Sequence, residues 1–339
     1  MKNKYTANRF TRALERKISS FLDGKIQNNS KILLACSGGP DSTTLLLIMA
    51  QIWPTNKITV AYFDHRLRSK KKTNLEYKFL KDICEHYDIK IIRGHSNKKS
   101  KIVSEDALRN ARYKWLARSC QDLKIQNIMT GHNQNDQAET VLFRLIRGTS
   151  LDGIKAMQVK TSLDSVFINQ KKQTKLFLFR PLLNTSREVI NSYLNSMNIS
   201  ALYDSTNDNN KYIRNYIRNE VMPTLQKINP KVIDAVSRFA TIVNVDNDTL
   251  SMYANKHYRK IVVEKKHSVE IDKQAISRLP PSLINRVILD CCQYLEIKIN
   301  NDHINHIVGF LEKNRAYYSL PNAEARTTKK LITIKRLIK

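Results

Sequence analysis

The stretch ILLACSGGPDSTTLLLIM, residues 32–49, constrains the fold more than any other part of the chain. A short apolar run meets two adjacent glycines, and a second apolar run follows. The first run reads as a buried strand, and the second, taken from Ser42 onward, as a helix stopped before Pro54. Gly38 and Gly39 tolerate backbone angles that other residues resist, so successive amides can face one centre. With the amino end of the helix they form a nest for an anion, flanked by Pro40 and by the hydroxyls of Ser37 and Ser42. A phosphate loop of the GxxxxGK[ST] kind places a lysine after its glycines. Here Asp41 takes that place. A carboxylate beside a phosphate suits a bound Mg2+ or a cationic co-substrate. The plainer alternative is an ordinary tight turn between strand and helix.

The same alternation continues downstream. KITVAYFD, IKIIRG and IQNIMTG read as strands, separated by helical patterns over 72–86, 104–123 and 135–147, with Ser104 as an N-cap and Gly148 closing the last helix. Residues 10–22 form a leading amphipathic helix. Strands alternating with helices predict an α/β fold, a parallel sheet covered on both faces. Ligands of such sheets bind at the carboxyl ends of the strands. Polar clusters fall there at 37–42, 64–68 and 131–139. After about residue 220 the pattern turns mostly helical, with β-prone patches at HSVEID, YYSL and KKLITIKRLIK. The expected division is therefore a catalytic domain over 1–220 and a mostly helical second domain over 221–339.

Composition narrows the setting. Lys and Arg number 58 against 30 acidic residues, a net charge of +28. Such an excess favours a polyanionic partner such as nucleic acid, although an AT-rich base composition, which raises Lys, Asn and Ile together, would also produce it. Five scattered cysteines without a CxxC pair argue against a disulfide framework or structural zinc and point to a reducing cytosol. The amino terminus is charged, without the apolar core of a secretory signal. No apolar run is long enough for a membrane span.

The string SGGPDS after an apolar strand resembles the PP-loop of the ATP pyrophosphatase superfamily, whose members adenylate an acceptor oxygen and release pyrophosphate. TGHNQNDQAETVLFRLIRGTSLDGIKAM, RPLLNTSREVINSYL and YDSTNDNNKYIRNYIRNEVMPTL resemble successive blocks of tRNA(Ile)-lysidine synthases, and FDHRLR and ALRNARYKWL match as well. The resemblance covers the first ~225 residues in the family's order and implies a Rossmann-like PP-loop domain. It departs at Asn133 and Asn135, where the family's GHHxDDQAET pattern has His and Asp, and at Tyr216, where Arg is common.

What the resemblance implies is a ligation using ATP and Mg2+. The C2 oxygen of the wobble cytidine (position 34) of a CAU-anticodon tRNA(Ile) is adenylated. Free lysine then attacks C2, giving lysidine and changing codon reading from AUG to AUA. The implied setting is cytoplasmic, without a membrane; a homodimer is carried beside a monomer, since the sequence gives no oligomeric state.

The residues can be weighed against that chemistry. Asp136 and Glu139, spaced i, i+3, share a face at a helix start. They can hold the lysine amines, or Mg2+ together with Asp41, or simply complement the helix dipole. Arg112 can clamp the lysine carboxylate, or be an ordinary helix arginine. Attack by an amine needs its neutral form, so Asp41, Asp136 or Glu139 can serve as base. His65 and His132 lie on strand-end loops, within reach of phosphate or base or satisfied locally. Arg144 and Arg147 can meet tRNA phosphates or stand solvated. Arg214 and Arg218 can meet an AMP or tRNA phosphate or form local salt bridges. A tRNA thiolase would want catalytic cysteines, a GMP-synthetase-like enzyme a glutaminase partner, and a purely RNA-binding module would not want three carboxylates in its site.

Overall fold

The computed structural model describes residues 9–96, 105–163, 175–202 and 212–337. Ser104 and the segment 203–211, both used in the sequence reading, lie outside the described residues. The chain divides into two compact units, Met1–Ala240 and Thr241–Lys339.

The first unit is built on a six-stranded sheet with the order β3-β2-β1-β4-β6-β5. Its strands are β1 (Ile32–Ala35), β2 (Ile58–Asp64), β3 (Lys90–His95), β4 (Asn127–Thr130), β5 (Lys160–Ser162) and β6 (Phe177–Phe179). All neighbours are parallel except the edge pair β5–β6. In β1, Ile32, Leu33 and Leu34 are each fully buried, as a strand covered on both faces requires. Ile32 and Leu34 join a core with helices α1 (Arg9–Leu22), α2 (Pro40–Ile52) and α3 (Lys70–His86). Leu33 faces the other way, onto Tyr113, Leu116 and Cys120 of α4 (Glu105–Leu123). Helix α2 is buried without interruption from Ser42 to Met49. Five of those residues are large and apolar, each contributing about 1.5–3 kcal/mol by burial. That explains a run with no amphipathic period.

Helix α2 begins at Pro40, two residues before the start expected from sequence. Gly39 is its N-cap, and Pro40 fills the first turn, where no amide partner is needed. Helix α5 (Gln134–Ile146) follows β4. Strand order reverses between β1 and β4, the switch point at which open α/β sheets form a crevice. Ala35 pairs with Thr130 at the carboxyl ends, so the two following loops emerge side by side. They touch: a Cβ on Gly131 would lie 2.8 Å from the carbonyl carbon and oxygen of Asp41 and from the amide nitrogen of Ser42. Only glycine allows this backbone-on-backbone contact.

Downstream come α6 (Leu151–Ile154), α7 (Arg187–Ser196), α8 (Ile213–Tyr216), a π turn at Ile217–Val221, α9 (Met222–Ile228) and α10 (Val232–Ile261). Ile217, Met222 and Ile233 pack with Ala138, on the back of α5.

The second unit carries an antiparallel sheet in the order β7-β8-β11-β10-β9. Strands β8 (Ser268–Asp272), β9 (Ala316–Leu320) and β11 (Leu331–Arg336) lie where the sequence pattern placed β segments; β7 (Val262–Lys265) and β10 (Ala323–Thr327) complete the sheet. Strand β10 buries Ala323 and Ala325, residues too small to give a β signal. Helices Pro281–Tyr294 and Asn301–Val308 supply its core through Val287, Ile288, Cys291 and Ile307. All five cysteines are buried and free. Among the described residues, no helix is long and apolar enough to cross a membrane.

Gly131→Ala is expected to force the two loops apart and to destabilise the first unit by about 1–3 kcal/mol. Urea denaturation checks this. An unchanged midpoint would mean that the contact relaxes freely.

Candidate active site

The loop after β1 is held by its own hydroxyls. Ser42 Oγ donates to Gly39 O at 3.1 Å and accepts from the Ser37 amide at 3.2 Å. The hydroxyls of Ser37 and Ser42 are 3.3 Å apart. Gly38 has φ +86°, the left-handed region the turn requires. Beneath it lies Glu76, itself bound by Arg68 and by the Tyr62 hydroxyl at 2.9 Å. The FDHRLR segment thus supports the loop through Arg68.

Asn133 joins this loop to the next. Its side chain accepts from the Asp136 amide at 2.9 Å, and its own amide donates to Asp136 Oδ2 at 3.1 Å, a reciprocal cap on α5. Its Nδ2 donates to Asp41 Oδ1 at 2.8 Å. The residue that departs from the family pattern therefore fixes Asp41. Asn135 accepts the backbone amide of Arg187 at 3.0 Å, a role an Asp would also fill.

Asp136 and Glu139 face three arginines. Arg218 grips Glu139 with Nε and Nη2, each at 2.7 Å, and reaches Asp136 Oδ1 at 3.0 Å. Arg214 stands at 3.5 Å from Glu139 and 3.8 Å from Asp136. Arg187 stands at 3.6 and 3.9 Å from the same pair. Glu139 is 1% exposed. Burial works against the charge on Arg218, but its bonds to Glu139 and the field of Asp136 outweigh this and hold it firmly protonated.

Asp41 differs from its neighbours. Burial and the nearby Asp136 push its carboxyl up to about 6, against opposing pulls from Arg187, the Asn133 hydrogen bond and Arg218. With Asp41 ionised, the three carboxylates and three arginines of this cluster cancel in charge.

A second, electropositive group involves Arg112, Arg109, Arg180, Tyr113, His65 and His132. Arg112 and Arg109 lie over the Tyr113 ring at 5.3 and 5.5 Å. Arg180 is 4% exposed and donates to Gln158 O at 2.5 Å and Thr161 Oγ1 at 2.9 Å. Among the described residues, the buried Nε atoms of Arg112 and Arg180 and the Nδ1 of His65 have no hydrogen-bond partner. His65 is pulled down to about 4 by burial and by Arg112 and Arg68. His132, bonded to Thr130 Oγ1 at 2.8 Å, is lowered by burial and by Arg180 and Arg112. Both are neutral at pH 7. Buried cationic donors with unspent hydrogen-bonding capacity suit an anionic ligand.

Arg144 and Arg147 are engaged differently. Arg144 binds the carbonyls of Gly153 at 2.5 Å and Ala156 at 3.4 Å, tying α5 to the segment around α6. Arg147 is exposed, 5.2 Å over the Phe143 ring. Sequence reasoning gave no site role to Arg187, Arg180 or Arg109 and noted Asn133 only as a departure from the family pattern. The N-x-x-D spacing from Asn133 to Asp136 was a readable capping signal. Nothing in spacing announces that Arg187 reaches α5.

A family model for the PP-loop domain matches residues 10–225. The tRNA(Ile)-lysidine synthase of Clostridium acetobutylicum is 32% identical over 310 residues, covering 88% of this chain and 64% of that protein. That of Nostoc sp. is 28% identical, covering 87% of this chain and 85% of that protein. The chain thus spans slightly less than two thirds of the clostridial relative it matches. Among solved structures, the U34-tRNA thiolase NcsA from Methanococcus maripaludis has a TM-score of 0.54 at 18% identity, covering 69% of this chain and 80% of that one. At that identity the likeness is one of fold.

Two outcomes follow from the geometry. Glu139→Gln removes one of the two carboxylates that pair Arg218, leaving Asp136 at 3.0 Å, and is expected to cost about 3 kcal/mol in urea unfolding. Asp41 holds its proton more tightly folded than unfolded, from the ordinary 3.8 up to about 6. Across that window the folded state binds more protons, so stability falls as pH rises. Unfolding midpoints at pH 4 and pH 6.5 check this: Asp41→Asn should remove that part of the fall. An identical pH slope in the variant would contradict the assignment.

Proposed function

Because the chain belongs to the PP-loop domain family, its match covering residues 10–225, we propose that it ligates lysine to C2 of the wobble cytidine of a CAU-anticodon tRNA(Ile) at the expense of ATP. The observation that carries this reading is the meeting, at one sheet crevice, of a glycine-rich anion loop with three carboxylates and three arginines. A lysine substrate brings cationic and anionic ends, and ATP brings a polyanion, so a site for both needs both signs close together. The lysidine-synthase names of the matching relatives supply the acceptor.

In this reading Ser37–Ser42 cradle the phosphates. The tRNA C2 oxygen attacks the α-phosphorus, the bond from Pα to its bridging oxygen breaks, and pyrophosphate leaves. The lysine side-chain amine then bonds to C2, and the C2–O bond breaks as AMP departs with that oxygen. The amine's proton passes to a carboxylate. Asp41 suits this role, because a base with a pKa near 6 matches neutral operation. Its nearest side-chain partner is the Asn133 amide at 2.8 Å rather than a guanidinium. Asp136 and Glu139 face the lysine amines, and Arg112, with Arg180 and Arg109 near, faces a carboxylate or phosphate.

For Mg2+ the fit is to one carboxylate. Among the described residues no group of three or more His, Cys, Asp or Glu side chains is gathered for a metal. Mg2+ carried by nucleotide phosphates needs only one or two carboxylates. Asp41 would hold it while the pyrophosphate is present, where the ion would offset that charge, and would be free to act as a base only without the ion.

The net charge of +28 fits a tRNA partner in a cytoplasmic setting. We assign tRNA binding to the part of the chain beyond about residue 220.

The test incubates purified protein with labelled lysine, Mg-ATP and a CAU-anticodon tRNA(Ile) transcript. Label should enter the tRNA with release of AMP and pyrophosphate, and Asp41→Asn should reduce transfer by at least 100-fold. No label in tRNA would reject the reading. Transfer at the wild-type rate in the variant would reject the role of Asp41.

A further inference from the structure

The reading above asks Asp136 and Glu139 to hold a substrate ammonium and the arginines near them to hold phosphate. The structure has them holding each other. Glu139 spends both oxygens on Arg218, at 2.7 Å each, and is 1% exposed. Arg214 and Arg187 stand close by as well, at 3.5 and 3.6 Å, so a substrate ammonium meets a carboxylate already taken while Arg218 stays. We infer that Arg218 is an intramolecular occupant of the amine site, exchanged for the lysine ammonium when nucleotide phosphate draws the guanidinium away. This rests on the ATP and lysine reading and adds an order to it.

Three features support the exchange. First, charge: Asp41, Asp136 and Glu139 balance Arg187, Arg214 and Arg218. An ammonium added alone leaves the cluster one positive charge in excess inside a poorly solvated site. An ammonium added together with a polyanion does not. Second, grip: Arg218 makes short, two-pronged bonds, whereas Arg187 and Arg214 stand 3.5–3.9 Å from the same carboxylates. Releasing Glu139 therefore means moving Arg218 above all. Third, backbone: Arg218 sits in the π turn Ile217–Val221, with Ile217 buried against Ala138 as its anchor. A π turn holds one residue more than the α-helix around it, and shifting that surplus re-aims the side chains it carries. Such turns are frequent at functional sites.

The consequence is positive coupling between nucleotide and lysine. A ligand that removes Arg218 from Glu139 raises affinity for the ligand that needs Glu139, and the effect is reciprocal. Arg218 would thereby act as a positioning residue that delays amine binding until the phosphates are seated.

Calorimetric titration of the full chain tests this. Lysine is titrated with and without saturating Mg2+ and α,β-methylene-ATP, which resists cleavage between the α and β phosphates. Lysine affinity is expected to rise at least tenfold with the analogue, about 1.4 kcal/mol, and lysine should tighten the analogue by the same factor. In Arg218→Gln, lysine should bind without nucleotide and the coupling factor should fall toward one. Arg218→Lys, which keeps the charge but loses the two-pronged grip, should give intermediate coupling. Equal lysine affinity in both arms for the wild-type chain overturns the exchange, whether or not a variant folds, while leaving the ATP and lysine reading intact. Failure of lysine to bind in either arm, with the analogue bound, overturns the lysine reading and the exchange together.

Discussion

The contact on which the site depends is between backbones. Gly131, just past β4, lies against the first turn of α2 so closely that a single Cβ would collide with three main-chain atoms. Those two chain segments enter the crevice from strands paired through Ala35 and Thr130. Because they touch, Asn133 can cap α5 and reach Asp41 at the same time. Because α5 is fixed there, Asp136 and Glu139 enter the same space as the glycine loop. A slightly wider gap would part the glycine loop from the acidic helix start.

The second organising feature is mutual neutralisation. Carboxylates buried this deeply need partners, and an unpaired one would cost several kcal/mol. Arg218 meets that need from a segment some 80 residues away, anchored by Ile217 and Met222 on Ala138. The same pairing that stabilises the fold is the one proposed to yield to a substrate ammonium. Asp41 is the member left with a hydrogen-bonding amide and a raised pKa, which suits it to chemistry rather than structure.

The parts of the fold that the sequence revealed were those with local signals. The first four strands and the helices between them follow from apolar runs and periodicity. The start of α2 shifted by two residues because Pro40 tolerates the first helical turn. Strands β5 and β6 were not read, being only three residues each. Strand β10 escaped because alanines fill its inner face, where a larger residue would have given a pattern. In the site, Asp41, Asp136, Glu139, Arg214 and Arg218 were all singled out, and they meet. Arg144 was singled out too, yet it binds the carbonyls of Gly153 and Ala156.

The sequence by itself determined the strand–loop–helix with its paired glycines, the α/β alternation and the residue types available for chemistry. Those properties are local: they depend on glycine angles, apolar period and side-chain charge. Only the tertiary structure decided which charges neutralise which. Arg187 and Arg218 reach Glu139 from helices distant in the chain, and Arg180 comes beside Arg112 and Tyr113 because β6 ends near α4. Electrostatic pairing falls off with distance in space rather than along the chain. The opening loop illustrates the difference. Its sequence announced a phosphate site with a carboxylate in place of lysine, and the folded neighbours, Asn133 and Asp136, set how strongly that carboxylate holds a proton.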